Sequence, residues 1–193
     1  MFPAGFFARD TKRVARDLLG CVLESRIRNV VTSGRIVEVE AYVGPHDPAG
    51  HGYGGRRTQR NDRLFGPPGI AYVYFTYGMH WCVNAVTERE GYPAAVLIRA
   101  LEPLAGQDTM RRRRGRTNAR ELCSGPAKLC QALGITGRLN GMALNDRRLR
   151  ILPGLRVPRP RVVCGPRIGI TRAVDWPLRF YLRDSEWVSR KPA

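Results

Sequence analysis

The chain has 193 residues, 33 of them Lys or Arg against 16 Asp or Glu, for a formal net charge of +17. Hydrophobic residues at 43% and charged residues at 25% are ordinary globular values, which excludes a wholly disordered, collagen-like or coiled-coil chain. Only Lys12, Lys128 and Lys191 are lysines; the remaining basic residues are arginines, whose planar fork matches phosphate oxygens, so a polyanion is the expected partner and nucleic acid the first one.

Residues 6–23 are predicted as a helix, capped by Asp10 or Thr11, with Val14, Leu18 and Leu19 on its apolar face. Residues 34–43, GRIVEVEAYV, alternate as a strand: Ile36, Glu38, Glu40 and Tyr42 on one face, Val37, Val39, Ala41 and Val43 on the other. Residues 44–69 are rich in Gly, Pro, Asp, Asn and Arg and read as a long ordered loop, a length that implies a function. Residues 70–76 and 80–86 are β-rich runs joined by Tyr77-Gly78-Met79, which predicts a hairpin. Residues 94–101 form a further strand. The run Arg111 to Arg114 falls at a helix end or in a loop. Ser124-Gly125-Pro126 opens a short helix, 126–133, with serine as cap and proline in the first turn. Residues 137–164 are polar with short strands, and a last strand lies around 178–182.

No repeat or linker divides the chain, so a single domain over residues 1–193 is expected. Five scattered cysteines (Cys21, Cys82, Cys123, Cys130, Cys164) include no C-x-x-C pair, which favours reduced, mostly buried thiols over a disulfide scaffold or a zinc ribbon. No apolar stretch approaches the roughly 18 residues that span a bilayer, and the first residues lack the order of a signal peptide. A cytoplasmic protein is expected, nucleoid-associated if bacterial.

Glu40 is the sharpest chemical signal, because a carboxylate within an apolar strand costs free energy unless it is paired or used. Glu38 shares its face, so an acid/base pair, a shared proton or an arginine partner are all open, as is an edge strand with both glutamates in water. Tyr42 lies beside Glu40, His51 follows in the glycine-rich loop, and the hairpin adds Tyr72, Tyr74 and, at its tip, Tyr77. Aromatic groups near a carboxylate in a basic protein suit a pocket that stacks a planar base and acts on it; cross-strand packing is the plainer reading for Tyr72. His46 and His51 match no common metal-ligand spacing, and no metal or other cofactor is expected. Lys128, in the first turns of a helix, favours phosphate over covalent catalysis.

The segments GRIVEVEAYVGPHDPAGH, GGRRTQRN, AYVYFTYGMHWCVN, VLIRALEPLAG, ELCSGPAKLCQALGI and PLRFYLRDSEWVS, in this order, closely resemble the alkyladenine (3-methyladenine, methylpurine) DNA glycosylase family. The resemblance runs from about residue 6 to residue 189. It implies an α+β fold: a mixed, mostly antiparallel curved sheet with surrounding helices and a protruding, DNA-inserting hairpin. It also implies that Glu40 activates water and that Tyr42, His51 and Tyr74 enclose a flipped base. Asn84 would exclude the guanine amino group, Tyr77 would fill the vacated stack, Arg99 would lie beside the active site, and Ser124 and Lys128 would touch phosphate. The implied activity is monofunctional base excision from duplex DNA holding a damaged purine, by a monomer. Its substrates would be 3-methyladenine, 7-methylguanine, hypoxanthine and ethenoadenine.

Two other classes fit parts of the sequence. An RNA-binding module accounts for the arginine and tyrosine content but not for Glu40. An enzyme transferring acyl or formyl groups on tRNA would share a related fold but needs a cofactor motif that is absent.

Overall fold

Asp10 starts the first helix in the computed structural model, which describes residues 2–189. Its carboxylate accepts the Arg13 N–H at 2.9 Å, and helix α1, Thr11–Leu18, presents Val14, Ala15 and Leu18 inward. The helix is shorter than the predicted 6–23. Gly20, at φ +85°, turns the chain where an added Cβ would lie 2.2 Å from the Leu155 carbonyl oxygen. Val22 and Leu23, expected at the end of that helix, instead open strand β1, Val22–Ile27, paired with β2, Val30–Val43.

The other strands are β3 (Ala71–Thr76), β4 (His80–Thr87), β5 (Ala94–Pro103), β6 (Asn145–Asp146), β7 (Leu149–Leu152), β8 (Val162–Gly165) and β9 (Arg179–Leu182). Their order is β3-β4-β5-β2-β1-β7-β6, with β9 joining β2 and β8 joining β9. Every ladder among the described residues is antiparallel, so the sheet is antiparallel rather than mixed. Helices α2 (Gln107–Arg114) and α3 (Pro126–Leu133) complete an α+β fold. The run Arg111 to Arg114 forms the last turn of α2, where positive charge favours the helix dipole. The predicted serine cap on α3 is not formed: Gly125 occupies the N-cap without a side-chain bond, and Pro126 takes the first turn. Ser124 instead pairs its backbone with Ala100.

The sheet has two buried faces. Val39 and Ala41 of β2, Val73 of β3, Val83 and Ala85 of β4, and Val96 and Ile98 of β5 pack with Leu18, Met110, Leu129 and Leu133 of the helices. The intervening residues of the same strands face the other way, into the site, as the period of two demands. The expected strict alternation in residues 34–43 breaks once. Ile36 pairs with Leu101, Glu38 with Ala100 and Val39 with Ile98, so Val37 and Arg99 are each one residue in excess on their strands. These bulges put Ile36 on the helix-covered face with Val39, not beside Glu38. β2 is also no edge strand: it lies between β5 and the pair β1 and β9, and Glu38 and Glu40 are both 0% exposed. No helix among the described residues is long and apolar enough to cross a membrane.

Candidate active site

Alternate residues of four strands wall a cavity of about 330 Å³: Tyr72, Tyr74 and Thr76 from β3, Cys82 and Asn84 from β4, Ala95, Leu97 and Arg99 from β5, and Tyr42 from β2. Loops add Ala49, His51 and Leu64 on one side and Ile168 to Ile170 on the other. The long loop reaches this place because its glycines allow close backbone approach; a Cβ on Gly52 would meet Pro93 at 2.3 Å.

Glu40 lies just behind the wall. Its Oε1 accepts the Ile168 N–H at 2.7 Å, and its Oε2 accepts the Tyr42 hydroxyl at 3.0 Å and faces Arg99 Nη1 at 3.2 Å. A carboxylate has about four acceptor positions; hydrogen bonds from Ile168 and Tyr42 fill two, and Arg99 adds an ion pair at Oε2, which leaves acceptor capacity for water. Burial raises its pKa above the usual carboxylate value, against the pull of Arg99, Ile168 and Tyr42. Burial also opposes the charge on Arg99, but Glu40 and Glu38 outweigh it, so Arg99 stays a cation.

Glu38 has a different environment. Its Oε1 accepts from Arg179 Nε at 2.7 Å, Ser189 Oγ at 2.9 Å and Arg99 Nε at 3.2 Å, and its Oε2 accepts the Ser189 N–H at 2.6 Å. With two guanidinium partners and a backbone donor, it is a structural counter-charge that no substrate reaches.

The aromatic residues converge. The His51 ring meets Tyr74 edge-on with centroids 4.5 Å apart, and Tyr72 stacks with Tyr74 at 5.4 Å. His51 Nδ1 lies 2.8 Å from the Tyr72 hydroxyl. Burial, then Arg60, lowers the His51 pKa, which keeps the imidazole neutral near pH 7. Burial lifts the Tyr72 hydroxyl to about 12 and Tyr42 and Tyr74 higher still. The lining is thus a cage of neutral aromatic rings with the Arg99 guanidinium in its wall and the Glu40 carboxylate just behind it. Asn84 donates from Nδ2 to the Tyr72 carbonyl at 3.0 Å, which fixes its amide in the wall.

Tyr77 stands at the rim. The antiparallel pairing of β3 and β4 forms the expected hairpin, and Tyr77 at its tip is 83% exposed. Its φ of +50° is rare for a bulky side chain and costs about 1–2 kcal/mol. Ser124 and Lys128 do not line the cavity. Lys128 Nζ lies 3.4 Å from Ser124 Oγ at the surface, and their neighbour Pro126 touches the cavity edge. Among the described residues no lysine lines the cavity, and no group of three or more His, Cys, Asp and Glu residues could hold a metal. His46 faces Tyr92 and Trp176, away from His51.

Several participants escape sequence reasoning. Cys82, Leu64, Ala95 and Leu97 form apolar lining indistinguishable in sequence from core. Arg167 and Asp47 form a buried ion pair across 120 residues of chain, and the Ile168 contact with Glu40 is made by its backbone N–H. No local pattern marks them.

An aromatic cavity ending in a buried, ion-paired carboxylate, in a strongly basic protein, is the architecture of an enzyme that acts on a base taken out of its stack. A family model described as Methylpurine-DNA glycosylase (MPG) matches residues 5–186. Three similar proteins each carry the name "Putative 3-methyladenine DNA glycosylase". That of Methanoculleus marisnigri is 54% identical over 98% of this chain and 98% of its own. That of Rhodopseudomonas palustris strain HaA2 is 54% identical over 95% of this chain and 88% of its own. That of Carboxydothermus hydrogenoformans is 50% identical over 99% of this chain and 100% of its own. The chain belongs to the methylpurine-DNA glycosylase family, and its activity is that of a DNA N-glycosylase.

Proposed function

We propose that this single-domain, monomeric enzyme removes alkylated or deaminated purines from duplex DNA in base excision repair. Its substrates are 3-methyladenine, 7-methylguanine, hypoxanthine and ethenoadenine, and its product is an uncut abasic site. The observation that carries the reading is Glu40: a buried, ion-paired carboxylate just behind the wall of an aromatic cavity, with acceptor capacity left for water.

The chemistry follows from the groups in place. The N-glycosidic bond breaks through a sugar with oxocarbenium character, as in other glycoside hydrolysis. Ionised Glu40 orients a water for attack and stabilises the developing positive charge. Tyr42, His51 and Tyr74 enclose the extruded base; neutral rings suit a purine made cationic by alkylation. Asn84 rejects the 2-amino group of undamaged guanine. Extrusion costs a few kcal/mol, offset by about 1–3 kcal/mol of stacking per base. Tyr77 fills the vacancy in the duplex, and Ser124 and Lys128 meet phosphate beside the cavity. With no lysine in the lining among the described residues, water is the nucleophile and the reaction is monofunctional.

The test uses duplexes with one hypoxanthine or 3-methyladenine, treated with alkali after incubation. The wild type should produce a strand break at that position. Glu40→Gln should bind the same duplex and lose about 10²–10⁴-fold in single-turnover rate. Near-normal excision by the variant removes Glu40 as the base.

A further inference from the structure

Two loops distant in sequence meet at Tyr42: residues 44–52, which carry His51, and residues 166–170, which carry Ile168. Asp47 and Arg167 join them. Arg167 Nη1 lies 2.5 Å from Asp47 Oδ2 and Nη2 lies 2.8 Å from Oδ1, with both side chains 0% exposed. Nη1 also donates to the Ala41 carbonyl at 3.1 Å, and the guanidinium lies over the Tyr42 ring at 4.7 Å. Asp47 in turn accepts the N–H groups of Val43 at 3.2 Å and Ala49 at 3.1 Å. A buried ion pair gives up the hydration of both charges and is weak evidence for stability in itself. This pair fixes the chain direction at Arg167, and the next residue is the one whose N–H reaches Glu40.

We propose that Arg167, held by Asp47, is a positioning residue for base excision: it aims the Ile168 N–H at Glu40 and so sets the pH at which Glu40 becomes ionised. The proposal rests on Glu40 being the base. Glu38 and Tyr42 face Glu40 from its own strand, Arg99 from β5 and Cys82 from β4, while Arg179 of β9 pairs its backbone with Glu40 and gives its guanidinium to Glu38. Burial raises the Glu40 pKa; Arg99, the Ile168 N–H and the Tyr42 hydroxyl lower it, and Glu38 raises it. Of these, the Ile168 N–H depends directly on the path of residues 166–170, while the Tyr42 hydroxyl belongs to a ring that the Arg167 guanidinium covers. Without the Ile168 N–H the carboxylate loses one of its two hydrogen bonds and holds its proton to higher pH.

The experiment is the paired variant Asp47→Asn with Arg167→Met, which removes both charges together and strands neither. Single-turnover excision on a hypoxanthine duplex is followed against pH. The acid limb should rise by about one pH unit, the worth of one hydrogen bond to a charged group, and the plateau rate should fall roughly tenfold. In amide NMR the Ile168 N–H of the wild type should titrate with the midpoint of the limb, and in the paired variant it should no longer do so. A folded variant whose midpoint lies within about 0.2 units of the wild type overturns the proposal. If the paired variant does not fold, Arg167→Lys is read in its place, since it keeps the charge and loses the fork. A raised midpoint then supports the role and an unmoved one overturns it. Retained excision in Glu40→Gln would remove the base assignment itself; loss in Glu40→Gln with an unmoved limb here overturns the positioning role alone.

Discussion

Replacing Glu38 with glutamine separates the two buried carboxylates of β2. Four donors converge on Glu38: Arg179, Arg99, and the hydroxyl and N–H of Ser189. An amide offers one carbonyl oxygen and one NH₂, so in either orientation it points donors at donors. It also leaves two buried guanidinium groups with Glu40 as their remaining carboxylate. Breaking a buried pair from one side costs about 3–5 kcal/mol. For a chain of this length each kcal/mol lowers the melting temperature by about 2–4 °C, so Glu38→Gln should melt roughly 6–20 °C lower. Calorimetry reads the shift. Excision measured well below the new melting temperature should persist, since Glu38 has no access to substrate, and this contrasts with Glu40→Gln. A Glu38→Gln protein that melts within about 2 °C of the wild type, or keeps its melting temperature and loses excision, refutes the assignment of Glu38 as a structural counter-charge.

Two further outcomes are expected. Tyr77→Ala, at an exposed tip, should leave the melting temperature unchanged and weaken the flipped complex by about 1–3 kcal/mol. The duplex-to-single-strand rate ratio for one lesion should fall with it, and an unchanged ratio means Tyr77 is not a wedge. The stability of the folded protein should also report Glu40. Its pKa in the fold is raised above 4.5, so the folded state holds that proton more tightly than the unfolded chain. The contribution is complete below the ordinary carboxylate pKa and is lost as pH rises through the raised value. Glu40→Gln should therefore gain in melting temperature relative to the wild type as pH increases from 4.5 upward, and a difference independent of pH contradicts this.

The hairpin, the strand at 94–101 and helix 126–133 are legible because each is a local signal: glycine between β-rich runs, a short apolar run, proline in a first turn. Tyr42, Tyr74, Asn84 and Arg99 share the cavity because the period of two carries them to one face. The helix at 6–23 overran because Val22 and Leu23 continue the apolar spacing of Leu18 and Leu19; the left-handed Gly20 ends it, and Leu155, far along the chain, closes the space around it. The bulges at Val37 and Arg99 have no local mark, since the residues on both sides of β2 are buried and either face accepts Ile36. The donors to Glu38 lie 61, 141 and 151 residues away at Arg99, Arg179 and Ser189, so its structural role is a property of the folded chain alone.

The buried charges have a consequence for how this enzyme can adapt. Among the described residues the fully buried ionisable acids are Glu38, Glu40 and Asp47, and the buried bases are Arg99, Arg167 and Arg179, three against three. The interior around the cavity is therefore electrically balanced, and the positive surplus of the chain lies outside this buried set. The field that draws the protein to a polyanion and lets it travel along it is thus separable from the groups that act on the base. Surface arginines can be exchanged, singly and in number, to retune search speed or tolerance of ionic strength, while the chemistry in the cavity runs in an unaltered local field.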